Sequence, residues 1–393
     1  MESLENNHQI RHFLLGNNAI STTGAKHIAE FLAKHPDRME TWYIAGCHVT
    51  RHGLSILVPQ MIKSTTITNL WFKRNPFGPT ASTLLAELVL RTKKLRTLDL
   101  ETTELGDEGT RQFIDDITGT PSSLRHLYLN ANGIGEKACA SLGRYLADPN
   151  CALESLFIST NPIGDAGMRH LAPGIVQNKT LKRLCFASTG LTSNGVSLLA
   201  KALAESSCTL LSLDLGASQT TMVHSQKFNY LDDSCIDDLR SLIMKVSLRL
   251  LYLGRTVFSV TGLQDVRDAA CKSELVHLEV HRVEVGEVKA NFGMTEVYEG
   301  TTLVKSCSLE LRNRIVKNQA KFFPHIKNYN DFLNSEDIRY LFNTSDVRKI
   351  DSMYRTMDKR LGLPMDEPWE ENDPVWKLIT DDAIIAERSF WKS

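Results

Sequence analysis

The chain has no uninterrupted apolar run approaching the ~20 residues that a helix needs to cross a bilayer. Its start, MESLENNHQIRHF, lacks the basic opening and apolar core of a secretory leader. The eight cysteines are scattered singly, without a C-x-x-C pair. Together these features point to reduced thiols and a cytoplasmic or otherwise intracellular setting. A charge excess is missing too: 45 basic against 46 acidic residues leave a formal charge of -1. Nothing global then favours nucleic acid or an anionic membrane. The phosphate loop G-x-x-x-x-G-K-S/T, the elbow G-x-S-x-G and the zinc helix H-E-x-x-H are all absent. Cys139, Cys185 and Cys235 have no base at a known spacing. Cys47, His48 and His52 lie close in sequence, but no fourth ligand stands at zinc-like spacing. The acidic run 367–373 reads as solvated surface charge. The sequons at Asn178 and Asn343 read as incidental in a chain without a secretion route. The expectation is a protein without catalytic residues, metal or cofactor.

What the chain does have is a period. Residues 153–180 read LESLFISTNPIGDAGMRHLAPGIVQNKT. Leu153, Leu156 and Ile158 suit a short strand with one buried face. After Asn161 and Ile163, a run with Met168, Leu171 and Ile175 at spacings of three and four suits a helix packed by one stripe. The same frame opens at Ile10, Met39, Ile67, Leu95, Leu124, Leu153, Leu181, Leu210, Leu248 and Leu275, with offsets of 29, 28, 28, 29, 29, 28, 29, 38 and 27 residues. One unit cannot bury its apolar face alone, so each needs its neighbours.

A pattern L-x-x-L-x-L-x-x-N-x-L at this period is a leucine-rich repeat. The unit length and the Asn-Pro-Ile-Gly-Asp-Ala-Gly segment from Asn161 resemble the ribonuclease inhibitor subfamily, over roughly residues 10–280. The resemblance implies an α/β fold: a curved solenoid with parallel strands on the concave side and helices on the convex side.

Residues 1–9 form a short lead, 10–282 the array of about ten repeats, and 283–393 a C-terminal cap with a mostly helical extension. The first repeat, with a helix over 25–34, reads as a cap. Asn75, Asn132 and Asn161 hold the turn position inside the apolar frame, where turn backbone has to be paired or wetted. Cys47, Thr103 and Thr189 replace them in their own repeats. The eighth repeat loses the position to Ser218 and carries about ten extra residues within 219–233, including His224, Lys227, Phe228, Asn229 and Tyr230. Insertions in such arrays map to loops on one face, often the binding face. Further on, 308–321 reads as a helix. The segments 334–337 and 344–346 read as helix starts, and 347–361 as an amphipathic helix.

In each strand the residue between the two closest leucines points away from the core. Repeat by repeat these are Leu14, Tyr43, Trp71, Asp99, Tyr128, Phe157, Cys185, Asp214, Tyr252 and Glu279. The resemblance puts this row on the concave side. Five of the ten are aromatic, and Lys73, Arg74, Glu101, Asn130, Arg183 and Arg255 stand nearby. Aromatics interleaved with charges are the material of protein-binding hot spots. The competing reading packs the rings on their own sheet, or under the chain's own extension. An open strip implies that Trp71→Glu weakens a partner and leaves melting nearly unchanged. The leading functional reading is a non-enzymatic scaffold binding a partner protein. The alternative is a regulator of a small GTPase or of ubiquitin machinery, by similarity to Ran GTPase-activating proteins and to repeat-bearing effectors.

Overall fold

A computed structural model describes residues 8–282, apart from 219, 220 and 222, together with 308–324 and the isolated positions 1 and 4. Ten short strands run in chain order: β1 His12–Leu14, β2 Thr41–Tyr43, β3 Asn69–Trp71, β4 Thr97–Asp99, β5 His126–Tyr128, β6 Ser155–Phe157, β7 Arg183–Cys185, β8 Ser212–Asp214, β9 Leu250–Thr256 and β10 His277–Arg282. The helices are α1 Ser21–Lys34, α2 Arg51–Met61, α3 Ser82–Arg91, α4 Gly106–Ile117, α5 Glu136–Ala147, α6 Gly164–Gln177, α7 Ser193–Glu205, α8 Ile236–Lys245, α9 Val260–Lys272 and α10 Ser308–Phe322. All ten strands join one sheet in the order β1 to β10, and every pair is parallel. Neighbouring strands sit about 4.8 Å apart, whereas helix axes need about 8–10 Å. An array with strands on one side and helices on the other therefore bends, with the sheet on its inner side.

Frame residues Leu153, Leu156 and Ile158 and helix residues Met168, Leu171 and Ile175 are all fully buried, as are the frame residues of repeats two to nine. Three features lock the repeats together. The first is a ladder of buried turn residues. Asn161 Oδ1 accepts the N–H groups of Asn132 (2.9 Å) and Ile134 (3.0 Å) from the preceding repeat. Its Nδ2 donates to the carbonyls of Leu129 (3.0 Å) and Ile158 (2.8 Å). Asn75 does the same with Cys47 N, Val49 N, Ile44 O and Phe72 O. Thr103 Oγ1 reaches only its own repeat's Leu100 carbonyl, at 2.7 Å, and otherwise leans on Asn132. Cys47 holds the same place with its thiol 3.1 Å from the Leu15 carbonyl. It is buried there, and no metal-binding group occurs among the described residues.

The second feature is an aspartate that caps the next repeat's helix. Asp107 Oδ1 accepts from Gly135 N (2.8 Å) and Ala138 N (2.9 Å) at the start of α5. Asp165 receives Thr192 N ahead of α7, and Asp233 receives Ser259 N ahead of α9. A carboxylate there answers both the unpaired N–H groups and the helix dipole. The third is a close crossing of α5 and α6. A Cβ on Gly174 would lie 2.1 Å from the Gly143 carbonyl oxygen, so the backbones meet where no side chain fits.

The eighth repeat corrects the sequence reading. Ser218 does not take the ladder position; Asn229 does. Its Oδ1 accepts from Thr189 N (3.1 Å) and Leu191 N (3.0 Å), and its Nδ2 donates to Phe186 O (2.9 Å) and Leu215 O (2.8 Å). The extra residues therefore lie between the strand and the ladder residue, and the frame resumes with buried Leu231.

At the far end α10 packs Leu311 and Ile315 into the core. Asn318 Nδ2 donates to the carbonyls of Ser273 (3.0 Å) and Leu275 (2.8 Å). The Arg249 guanidinium lies 3.6 Å from the centre of the Phe322 ring and 2.8 Å from Glu274. Asn178, of the first sequon, is buried and donates to the Leu146 carbonyl at 2.9 Å. The chain divides into two units, Met1–Asp331 and Phe332–Ser393. The second, with the helix starts at 334–337 and 344–346, the helix over 347–361 and the acidic run, lies outside the described residues, as does 283–306.

Asn161→Ala should cost roughly 2–4 kcal/mol, because it leaves buried backbone groups of two repeats unpaired. Asn161→Thr should cost less, by analogy with Thr103. Gly174→Ala should cost about 1–3 kcal/mol through the forced separation of α5 and α6. Urea denaturation of the three variants checks both claims.

Candidate partner-binding face

Leu14, Tyr43, Trp71, Asp99, Tyr128, Phe157, Cys185, Asp214, Tyr252 and Glu279 are direct register partners from strand to strand across the whole sheet. They form one row, on the face opposite the frame leucines. Parallel strands paired in one register at these positions produce such a row; the register of β9 and β10 shifts only after Glu279. The ladder supplies that regularity.

The rings in the row touch. Tyr128 and Phe157 stack at 4.3 Å with planes 2° apart, close to the spacing of adjacent strands. Tyr43 and Trp71 lie 6.2 Å apart. Trp71 and Tyr128 stand on β3 and β5, on either side of Asp99, yet their centroids are 5.7 Å apart. They lean together over the shorter side chain. Asp99 Oδ1 meanwhile accepts the Glu101 N–H at 3.0 Å.

The expectation of an open strip is therefore corrected in part. Trp71 is 6% exposed, Tyr128 8%, Asp99 2% and Arg183 7%. Tyr43, Phe157, Asp214 and Tyr252 are half-buried. Arg183 Nε donates to Ser155 Oγ at 2.7 Å, and its guanidinium lies 3.3 Å from His126 Nδ1 and 6.0 Å from the centre of Phe157. That cluster fixes Arg183 against the sheet. The partners that sequence reasoning missed, His126 and Ser155, sit two residues before the row. Read down the repeats, that column holds His12, Thr41, Asn69, Thr97, His126 and Ser155, a polar run within an apolar frame that signalled a hydrogen-bonded stripe.

Beyond the row lie the half-buried Lys73, Glu101, Asn130 and Arg255, and the exposed Arg74. Asn130 Nδ2 donates to Glu101 Oε2 at 3.2 Å, and its Oδ1 accepts Ser159 N at 2.8 Å. Arg74 adopts a left-handed backbone (φ 57°), as do Thr102, Ala131, Thr160 and Ser188 at the same place in later repeats. Few non-glycine residues take that conformation. Here it turns the chain so that the ladder residue enters the core while Arg74 faces out, donating to Asn17 Oδ1 at 3.1 Å.

Burial favours the neutral form of three thiols. Burial pushes Cys139 up to about 12 and Cys235 up to about 11. Cys185, in the row, is raised well above its ordinary value for the same reason, and donates to Asp214 Oδ2 at 3.1 Å. Burial also raises the Asp214 carboxyl above its ordinary 3.8, against the opposing hydrogen bonds from Gly216 and Cys185.

No family model matches the chain. Among individual proteins it is 27% identical over 270 residues to NACHT, LRR and PYD domains-containing protein 14 of Homo sapiens, covering 68% of this chain and 24% of that one. It is 23% identical over 363 residues to the mouse (Mus musculus) NACHT, LRR and PYD domains-containing protein 5, covering 92% and 28%. To the ribonuclease inhibitor of Sus scrofa it is 26% identical over 213 residues, covering 54% and 46%. These matches fall on a chain whose ten strands and turn ladder follow the same unit. It is a leucine-rich repeat protein. Its repeats are of the ribonuclease inhibitor type. The chain spans about half the length of the inhibitor and about a quarter of the two larger relatives.

Within a leucine-rich repeat frame the insertion of repeat eight is a loop built to stay. Thr221 is buried and donates to Ser188 Oγ at 2.6 Å. Phe228 packs with Val257 and Tyr230, under the Arg255 guanidinium at 5.2 Å. Between these anchors Val223 is 67% exposed.

Two outcomes follow. Trp71→Glu should lower stability by roughly 3 kcal/mol or more, since it removes a buried ring and buries a charge, whereas deleting 222–227, which spares Thr221, Phe228 and Asn229, should leave melting within a few degrees. Thermal melts decide. Asp214 makes a pH-dependent contribution. A carboxyl whose folded pKa is raised favours the fold while protonated; that contribution is complete below its unfolded pKa and is lost as pH rises through the folded one. Asp214→Asn should therefore gain in Tm relative to the wild type as pH rises from 4 towards 7. A constant gap across that range removes Asp214 from the pH response.

Proposed function

We propose that this chain is a non-enzymatic scaffold that holds a partner protein along the strand face of its repeats. The observation that carries the reading is the in-register row with its half-buried Tyr43, Phe157 and Tyr252, bordered by Lys73, Arg74, Glu101, Asn130 and Arg255. Side chains mounted on strands are already ordered, so little conformational entropy is lost when a partner docks. Aromatic anchors beside charged rims supply area and orientation. The buried Trp71, Asp99 and Tyr128 of the row, with Arg183 beside Phe157, act beneath this surface: they set the height and tilt of the half-buried rings. A relative whose name, ribonuclease inhibitor, specifies action on another protein supports the same reading.

Affinity capture should compare the wild type with a Tyr43→Ala, Arg74→Glu, Tyr252→Ala variant. A partner on this face is retained by the first and reduced at least tenfold by the second, with melting curves overlapping. Equal recovery of every bound protein by both would remove the strand face from consideration. A small GTPase or a ubiquitin-ligase subunit lost with the triple variant would instead favour a regulatory role on that machinery.

A further inference from the structure

Charge is balanced over the whole chain, 45 basic residues against 46 acidic, but it is not evenly spread. Three consecutive helix-to-strand segments, 60–70, 90–98 and 118–125, hold Lys63, Arg91, Lys93, Lys94, Arg96 and Arg125 and no aspartate or glutamate. They lead from α2 to β3, from α3 to β4 and from α4 to β5. Stacking of the repeats therefore sets them side by side at the edge where the strands begin. Lys63, Arg91, Lys93 and Lys94 are exposed, and Arg96 and Arg125 half-buried. Arg125 N donates to the Arg96 carbonyl at 2.8 Å, so two arginines stand abreast at the entry of adjacent strands. Like charges placed in that way oppose strand pairing. Carboxylates answer this charge only from outside the three segments. Glu87 pairs with Arg91. Glu154 lies 4.0 Å from Arg125 but holds Lys182 at 2.8 Å. Asp37 accepts the N–H and hydroxyl of Thr65 at 2.8 and 2.7 Å, and the Lys94 charge acts on it from further off. A helix C-terminus favours basic residues within its last turn. That accounts for Arg91 and for Lys63 just past α2. It does not account for Arg96 and Arg125, which open strands, nor for the missing carboxylates. The corresponding segments of other repeats carry Asp37 and Glu40, Asp148 and Glu154, or Glu274.

We propose that this edge is a docking surface for an acidic segment of a partner protein, an extended run of aspartates and glutamates lying across the entries of β3, β4 and β5. The footprint is two strand steps wide on the sheet side and two helix steps wide on the helix side, roughly 10–20 Å. That is the length of about three to six extended residues. The backbone that presents the cations is already fixed: Thr92 is buried, and Ser123 Oγ donates to the Lys93 carbonyl of the loop beside it. A partner therefore meets charges on an ordered frame and pays little to order it. Carboxylates laid between Arg96 and Arg125 relieve the repulsion of the two guanidinium groups and gain charge-assisted hydrogen bonds. Nucleic acid suits the edge less well. None of the three segments contains an aromatic residue on which a base could stack. Asp37 and Glu40 on one side, and Asp148 and Glu154 on the other, end the basic track after three loops. The edge borders the strand face without using its row, so either proposal can fail alone.

Fluorescence anisotropy of a labelled oligoglutamate peptide, titrated with the full chain at low ionic strength, tests the surface. The expected result is saturable binding that weakens about tenfold in a Lys93→Glu, Lys94→Glu variant, and by a smaller factor in a Lys93→Gln, Lys94→Gln variant, which removes the charges without reversing them. A Lys26→Glu, Lys272→Glu variant makes the same change in net charge on distant repeats, and its affinity should stay within about twofold of the natural chain. All four lysines are exposed, so the melting curves of the variants should overlap. Failure of the natural chain to bind the peptide overturns the proposal, as does equal affinity of the Lys93, Lys94 and Lys26, Lys272 reversals. Binding of oligothymidylate more tightly than the peptide, lost with Lys93 and Lys94, overturns it as well and gives the edge to nucleic acid.

Discussion

The structure depends on a polar side chain placed inside an apolar frame. Each turn from strand to helix carries backbone groups that neither sheet nor helix can pair, in a space that water does not enter. An asparagine side chain offers an acceptor and two donors on one plane, and so satisfies N–H groups of the repeat before and carbonyls on either side. It thereby fixes the distance between repeats as well as closing its own turn. Leucines at the frame positions supply most of the burial energy and decide which face of each strand is buried. The ladder adds a directional constraint, because its hydrogen bonds have one geometry. Register follows, and with register comes the row of side chains on the inner face.

That ordering explains what is variable in the array. Leu14, Asp99, Cys185 and Tyr252 are chemically unrelated, yet they occupy one row, since nothing in the ladder specifies the residue that faces away from it. The constraint falls instead on the backbone three residues later, where Arg74, Thr102, Ala131, Thr160 and Ser188 accept a left-handed conformation. Isolated residues of these types avoid it at a cost of roughly 1–2 kcal/mol. Here the following ladder residue holds the turn shut. Variation is permitted on the face turned away from the ladder, and strain is absorbed where the core is entered.

The frame was legible because its signal repeats ten times: every strand lies where the leucine pattern put it, and the helix over 308–321 is present as Ser308–Phe322. Three things were not legible. Asn229 was invisible as a ladder residue because it stands eleven positions late, and only spatial neighbours reveal that it serves Thr189 and Leu191. The Gly143–Gly174 crossing joins two repeats, so neither repeat's own pattern contains it. The degree of exposure along the row depended on ring geometry: the sequence places Trp71, Asp99 and Tyr128 side by side but says nothing of two rings closing over a carboxylate. Periodicity reports which way a residue faces. It does not report what stands over it.

A solenoid's stability is close to a sum over units and their interfaces, so its ends are where the sum breaks off. At the C-terminal end a helix closes the break: Asn318 donates to the carbonyls of Ser273 and Leu275, whose counterparts Cys151 and Leu153 accept from Thr180 of the following repeat, while Leu311 and Ile315 supply apolar burial. In the first repeat Asn18 retains the donor half of the ladder arrangement, to the carbonyls of Leu15 and Gly16, and Ile10, Phe13, Leu15 and Ile20 are half-buried. Water can hydrate an exposed amide but cannot replace the enclosure of apolar side chains. The apolar residues, more than the asparagine, are therefore the telling part of that edge. Met39, Trp42, Ile44 and Val49 of the second repeat, completely enclosed, show what the same positions gain from a neighbour on both sides.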